Sequence, residues 1–520
     1  MRGFAVALLA VATIGVAIRW GSFVAGGSDS YCYIHQAQRW ADVLRNPFSA
    51  RLQVVEPLAL EAPWPDAPLT FAPVGHVPST TVAGAIAPIC PSGLALAMAP
   101  LVALAGPRAA FAVVPLFGAL LILATYVVGS RFGARVGVAA AVLAAASPIF
   151  LYQVVQPMSD VPAAALWTLA VAWATSTRRH QAVLAGLATS GAVLMRPNLL
   201  PLGFVIGLFL LFRPERTWRG RTAAAGAYAA ASAVGCIAVA LIQWSFFGSP
   251  LAWGYGSVDS LFSTANIPVN ARSFLEWLMA GHTPAIALAL LAPILLPGAL
   301  TAMLLAMFFV NAMVYLAYVA FPEWSYLRFL LPTIPLLLVL MVAGVDALAG
   351  RAFMVRPVRR NYVDAAAARM IVAALTIALA VLFVREAQDR QAFRLHRLEG
   401  RFERAGRYVG ERLPSTAVVF TAWHSGSVRF YGDRTTIVWD ALDEAWLDRA
   451  VEYLERRGYE PYFMFEGQEE RRFRERFRGS RLGALDWPPA AEIVSQVRLY
   501  RPADQEAYRR GVAAPTEYVR

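Results

Sequence analysis

Five charged side chains stand at the ends of apolar stretches: Asp29, Asp160, Arg196, Glu323 and Arg328. A charge at membrane depth costs about 2.5 to 3.5 kcal/mol on insertion scales, so each is a candidate for function. A carboxylate so placed can take the proton of an attacking hydroxyl. A guanidinium facing a wet cavity suits phosphate, which it grips by two parallel hydrogen bonds. Each residue also has a plain structural reading. Asp29, in "GGSDSYCYIHQAQRW", could be a hydrated helix-end carboxylate or the N-cap of the helical stretch that follows. Asp160, in "QPMSDVPAAALW", reads as an N-cap with proline at the second helical position, a role compatible with chemistry. Arg196, in "LMRPNLLPL", and Arg328, in "EWSYLRFLLPTIP", could simply snorkel to the interface. Arg328 is the more pointed signal, because Glu323, Trp324 and Tyr326 stand beside it and Pro332 and Pro335 break the helix that follows.

His76, between prolines in "FAPVGHVPST", and His282, in "AGHTPA", are candidate metal ligands, weighed against ordinary polar loop surface. No HExxH, CxxC, Walker or GxGxxG arrangement occurs in a suitable setting. His424 and Ser425 in "AWHSGSVRFYG" follow a strand without a G-x-S-x-G elbow, and read as a strand-to-helix turn. Of the three cysteines, Cys236 lies in an apolar run, and at most Cys32 and Cys90 could pair.

The elements that must position these groups are membrane helices. Of 520 residues 58% are hydrophobic and 15% charged, against roughly 25% charged in soluble proteins. The chain is a polytopic α-helical membrane protein. Its net charge of +12 is carried by arginines clustered in short loops between apolar runs, a topology signal that excludes a nucleic-acid partner. About eleven apolar stretches are candidate crossings: 3–23, 109–130, 135–152, 161–176, 181–196, 199–212, 223–247, 284–297, 299–321, 328–349 and 366–385. The first lacks a small-residue cleavage site and reads as a retained helix. With the N-terminus cytoplasmic, the inner loops hold Arg131 and Arg135, Arg178 and Arg179, Arg213, Arg216, Arg219 and Arg221, then Arg351, Arg356, Arg359 and Arg360. The facing outer loops around 153–160, 196–201, 248–284 and 321–331 carry at most one arginine each. All five candidate charges then lie on the outer face. "PSGLALAMAPLVALAG", Pro91 to Gly106, fits this scheme only as a re-entrant or interfacial helix within a long outer loop, 24–108. Residues 1–385 form the transmembrane domain. Residues 386–520 read as a soluble α/β domain with a mainly parallel sheet, its strands at "AVVFTA", "TTIVW", "PYFMFE" and "SQVRLYR". An odd number of crossings puts it outside, beside Asp29.

The order of these motifs resembles the GT-C superfamily of integral-membrane glycosyltransferases, the group of protein O-mannosyltransferases and aminoarabinose transferases. The likeness spans roughly residues 1–345 and rests on "SDSYCYIHQA", "ICPSGLALAMAPLVALAG", "QPMSDVPA", "MRPNLLPL" and "YLRFLLPTIPLL". Relatives often have an Asp-Glu pair after the first helix, and here position 30 is Ser. The resemblance implies a polyprenyl-phosphate sugar donor, a glycan, lipid or protein acceptor outside the cell's inner membrane, and an inverting transfer. Asp29 would be the catalytic carboxylate. Arg328, with Arg196, Tyr326 and Glu323, would bind substrate, and Asp160 would orient the acceptor or help hold a divalent metal. A transporter or lipid flippase would also use intramembrane charges and broken helices. A membrane scaffold with a partner-binding outer domain would leave the long first loop unexplained.

Overall fold

The computed structural model describes residues 2–47, 62–178, 180–213, 217–354, 362–512 and 515–519. Arg179, Arg216, Arg356, Arg359, Arg360 and the stretch 48–61 of the first long loop lie outside the described residues. Among the described residues six helices are long and apolar enough to cross a membrane, and eight spans result if each of two bent pairs counts as one. Asp160–Ala174, His180–Met195 and Pro197–Phe212 are shorter apolar helices at three of the expected crossings. The expected crossing 284–297 is one limb of a bent pair, Thr264–His282 and Pro284–Leu295, which meet at 105°. Prolines set both bends. Thr283 and Ser147, each just before a proline, leave the helical region (φ 61°, ψ 162° and φ −54°, ψ 127°), because the proline ring crowds the preceding residue out of it.

The helix Asp160–Ala174 shows how the ends of the bundle differ. At its C-terminus Arg213 donates to the carbonyls of Ala174, Thr175 and Ser176, and Arg131 donates to the Thr175 hydroxyl. Two of the loop arginines thus satisfy the free carbonyls of a helix end, where positive charge is favoured. The opposite, N-terminal end carries Asp160.

The stretch Pro91 to Gly106 forms the helix Ser92–Ala105. Its 14 residues reach about 21 Å at 1.5 Å per residue, short of the roughly 30 Å hydrocarbon core. It packs along a second short helix, Asp29–Arg45, through a disulfide between Cys32 and Cys90, a hydrogen bond from Gln36 to Ser92 (2.9 Å), and Arg45, which donates to the Val102 and Ala103 carbonyls. The first long loop also forms a small antiparallel hairpin, β1 (His76–Pro78) and β2 (Ile86–Pro88).

Beyond the last long helix, Tyr362–Asp389, the chain forms a six-stranded sheet from β3 (Ala417–Phe420), β4 (Thr435–Ile437), β5 (Glu460–Glu466), β6 (Ala491–Ile493), β7 (Val497–Tyr500) and β8 (Glu517–Val519), ordered β4-β3-β5-β7-β6-β8. The expectation of a mainly parallel sheet holds with one exception, because five of the six strands run the same way and β7 opposes them. β3 pairs parallel with β4 and β5, and β6 with β8, but β7 runs antiparallel to both β5 and β6. The β6–β7 turn holds Val494 and Ser495 with φ of 56° each, the left-handed geometry a tight hairpin demands. With neither glycine nor asparagine there, the sequence carried no hairpin signal.

The first long loop shares the core of this sheet. Trp64 and Phe71 are buried with Trp439, Phe463, Phe465 and Phe473. The Val438 amide donates to the Thr70 carbonyl (2.6 Å), and the Val74 amide to the Ser425 hydroxyl (3.0 Å). Gly426 lies flat on Tyr31, where an added Cβ would come within 2.4 Å of the ring. The C-terminal unit is therefore docked on the helix that begins with Asp29.

Candidate active site

Asp29 is the first residue of its helix, and Ser28 holds the N-cap position. The carboxylate therefore sits in the first turn, where the helix dipole favours negative charge. Ser30 and Tyr33 share its side of the helix. Two contacts fix the register of that turn: Cys32 is tied to Cys90, and Gly75, at φ 94°, lies so close to Ser28 that an added Cβ would stand 2.8 Å from its carbonyl oxygen. Arg196 follows the end of His180–Met195, and Gly93 packs against that helix end. An added Cβ on Gly93 would meet the Leu194 carbonyl carbon at 2.4 Å, so only glycine lets the two helices approach this closely. The "PSG" motif thus sets Arg196 relative to Asp29.

These elements enclose a cavity of about 660 Å³ whose wall includes Asp29, Tyr33, Arg196, Tyr315, Tyr326 and Arg328. The Asp29 carboxylate accepts from the Arg328 guanidinium at 3.3 Å, and its side chain is 37% exposed. Arg328 stacks over the Tyr326 ring, 5.0 Å from the centroid, and Tyr326 in turn lies flat on Phe321. The guanidinium is thereby held in place while one edge faces the cavity.

Arg196 donates to Asp160 (2.6 Å), to the Tyr315 hydroxyl (3.0 Å) and more weakly to the Ser159 hydroxyl (3.4 Å). Tyr33 also donates to Ser159 at 2.9 Å, which ties the Asp29 helix to the Asp160 turn. Asp160 is fully buried and its second carboxylate oxygen has no hydrogen-bond partner. It lies behind Arg196 and does not line the cavity. Its contact is with Arg196 and not with the cavity. The N-cap of its helix is Ser159, not Asp160 as the sequence suggested.

Other expected residues fall elsewhere. Glu323 is exposed and off the cavity wall. His76 is buried against His35, nitrogen to nitrogen at 3.3 Å, and burial pushes its imidazole well below the usual range. His282 is buried on Ser147 at 2.8 Å. Among the described residues no group of three or more His, Cys, Asp or Glu side chains could hold a metal ion. The donor set agrees: Asp29, the carboxylate on the cavity wall, faces a guanidinium, and Ser30 supplies no second acid. The residues present do not fit a divalent metal.

Several wall residues escaped the sequence reading. Tyr33 stands four residues after Asp29, a spacing that puts both on one helix face, and could have been found that way. Tyr315 and Tyr318 lay inside an expected crossing. Trp253 and Tyr255, in "AWGYGS", come from a loop with no polar signal of its own. Together these rings give the wall apolar breadth beside a few fixed charges, the usual composition of a small-molecule site.

No family model and no curated protein matches the sequence. Solved structures do. ArnT from Cupriavidus metallidurans bound to undecaprenyl phosphate aligns with a TM-score of 0.56 at 12% identity, over 99% of this chain and 99% of that one. The archaeal oligosaccharyltransferase AglB from Archaeoglobus fulgidus, in complex with an inhibitory peptide and a dolichol-phosphate, aligns with a TM-score of 0.51 at 12% identity, over 89% of this chain and 69% of AglB. The mycobacterial arabinofuranosyltransferase AftD aligns with a TM-score of 0.50 at 16% identity, over 90% of this chain and 37% of AftD. At such identities the likeness is one of fold. The chain shares the fold of these membrane proteins.

Proposed function

We propose that the protein is an inverting glycosyltransferase that moves a sugar from a polyprenyl-phosphate donor to an extracytoplasmic glycan, lipid or protein. The observation that carries this reading is the Asp29–Arg328 pair on the wall of a large aromatic cavity, with a second guanidinium, Arg196, on the same wall. The fold likeness to ArnT and AglB, solved with undecaprenyl phosphate and with a dolichol-phosphate respectively, supports it. Arriving donor phosphate competes for Arg328, which can grip it with two N–H groups, and so releases Asp29. The freed carboxylate takes the acceptor hydroxyl proton as that oxygen bonds to the anomeric carbon from the face opposite the phosphate. The anomeric C–O bond breaks, its electron pair leaves with the lipid phosphate, and Arg328 stabilises the charge that develops. Arg196 adds positive charge at the same wall, Asp160 positions it, and Tyr326 holds Arg328. Glu323 has no part in this scheme.

The topology proposed with it has eleven crossings in residues 1–385, a cytoplasmic N-terminus, and an extracytoplasmic domain over residues 386–520 in a cell inner membrane. The Cys32–Cys90 disulfide supports an outer placement of Asp29, because disulfides persist in oxidising compartments. Reporter fusions after Arg216 and Arg401 test it, with cytoplasmic activity at Arg401 the contrary result. The activity is tested by transfer of labelled sugar from a polyprenyl-phosphate donor in proteoliposomes. Solute counterflow in the same vesicles without transfer would instead identify a transporter or flippase.

A further inference from the structure

The helix Asp29–Arg45 has a second functional side. Tyr31, His35 and Gln38, spaced three and four apart, share one face, turned away from Asp29, Ser30 and Tyr33. That face walls a separate cavity of about 640 Å³. Its floor is Phe23, just past the first long helix, with Pro107, Arg108 and Phe111 at the start of the next, Pro107–Gly129. Its roof is Glu403, Arg407, Arg429 and Tyr431 of the C-terminal unit. The apolar surface beside the mouth is exposed, with Phe23 at 41% and Leu104 at 86%, and both lie at ends of apolar helices. The mouth is therefore level with the membrane boundary.

The chemistry of the walls is specific. Three guanidinium groups, Arg108, Arg407 and Arg429, line the cavity with one carboxylate, Glu403. Arg407 grips Glu403 at 2.8 and 2.9 Å, and Arg429 is fixed by donating to the Phe71 carbonyl and the Thr436 hydroxyl. Arg108 stands exposed at the rim. Phe23, Phe111 and Phe430 provide apolar wall between the charges. Positive charge over an apolar floor at the membrane boundary matches one kind of ligand, an anionic headgroup still attached to its acyl chains. The volume lies within the roughly 300 to 1,000 Å³ range of small-ligand sites.

We propose that this second cavity binds the phosphate of an anionic phospholipid from the surrounding bilayer. Such a lipid bridges the transmembrane floor and the C-terminal roof, and so holds the C-terminal unit against the back of the helix that carries Asp29. The reading rests on the membrane placement of these helices and not on the sugar-transfer chemistry, so either can fail without the other.

Purified full-length protein titrated with dihexanoyl phosphatidylglycerol, its phosphatidylcholine counterpart and inorganic phosphate tests the proposal by native mass spectrometry. An arginine near the bilayer contributes roughly fivefold to anionic lipid binding. The double variant Arg108→Ala/Arg407→Ala should therefore lose at least tenfold in phosphatidylglycerol affinity, while binding of a polyprenyl-phosphate analogue in the Asp29 cavity is unchanged. Glu403→Gln frees Arg407 from its internal partner and should tighten phosphatidylglycerol binding about fivefold, an effect that misfolding would not produce. Unchanged phosphatidylglycerol affinity in the double variant overturns the proposal, as does equal binding of the choline lipid or of free phosphate. If the double variant does not fold, an unchanged or weakened affinity in Glu403→Gln overturns it by itself.

Discussion

Asp160→Asn isolates the charge that fixes Arg196. The asparagine side chain has nearly the size of aspartate and keeps an oxygen to accept from the guanidinium, so packing changes little and the charge is lost. Asp160 is fully buried and Arg196 is 11% exposed, so the variant leaves a nearly buried cation with neutral partners alone, the asparagine oxygen and the hydroxyls of Tyr315 and Ser159. Removing one partner of a buried ion pair costs about 3 to 5 kcal/mol. Because Arg196 reaches the cavity wall and water can enter there, the low end applies, about 3 kcal/mol, or roughly two orders of magnitude in the folding equilibrium. Equilibrium unfolding of purified protein in mixed micelles measures it. The companion variant Asp160→Asn/Arg196→Met removes both charges at similar volume and should recover stability to within about 1 kcal/mol of wild type. It should still bind a lipid-phosphate analogue less well, since a cation is gone from the wall. A single variant that loses less than about 0.5 kcal/mol, or a double variant no more stable than the single, would refute the pairing argument.

Other consequences follow from neighbouring residues. Arg328→Lys keeps the charge but not the planar fork, so affinity for a lipid-phosphate analogue should fall by about 1.5 to 3 kcal/mol, tenfold or more, by isothermal titration. Gly93→Ala drives a methyl group into the Leu194–Met195 backbone and should destabilise by about 1 to 3 kcal/mol, with a loss of transfer activity as Arg196 shifts. Acid should loosen the first outer loop. Burial holds the His35 imidazole near a pKa of about 3, with Arg39 and Arg429 adding to the effect, and holds His76 well below its usual value. The unfolded chain therefore binds more protons below about pH 6.5, so this stability is complete above that pH and falls by about 1.4 kcal/mol per histidine per pH unit as the pH drops. Burial raises Glu399 and Glu469, which act in the opposite direction. Comparing denaturant unfolding at pH 7 and pH 5 with His35→Gln/His76→Gln separates the two, and an unchanged pH slope would contradict the assignment.

What the sequence made legible follows from the kind of signal each feature carries. Arg196, Arg328 and Asp29 stood out because a charge beside an apolar run is rare for an energetic reason, and the structure brings all three to one wall. Asp160 stood out for the same reason, but burial behind Arg196 depends on packing between helices far apart in the chain, which periodicity does not reveal. Four of the six strands after residue 385 were readable as short β-rich runs; the three-residue strands β6 and β8 were not, nor was the reversal at β7, because Val494 and Ser495 turn without a glycine or asparagine. The histidines looked like loop surface or metal ligands. His76 proved to be interior because the C-terminal unit closes over the first outer loop, a contact between residues more than 300 positions apart, as between Val74 and Ser425. The bent pairs went unread: Ser147-Pro148 lay inside the expected crossing 135–152 and Thr283-Pro284 at the edge of 284–297, and neither the sharp turn at His282 nor its burial on Ser147 carried a signal.

The central claim is that Asp29 takes the acceptor proton. Asp29→Asn preserves size and hydrogen-bonding shape but accepts no proton at neutral pH, and general-base catalysis contributes typically 100-fold to 10,000-fold. The decisive measurement is the turnover of labelled sugar from a polyprenyl-phosphate donor by this variant in proteoliposomes, alongside its affinity for a lipid-phosphate analogue. Turnover should fall by about two orders of magnitude or more, while analogue affinity holds or improves because Arg328 loses its competing partner. Turnover near the wild-type rate would reduce Asp29 to the carboxylate of a helix end and contradict the account.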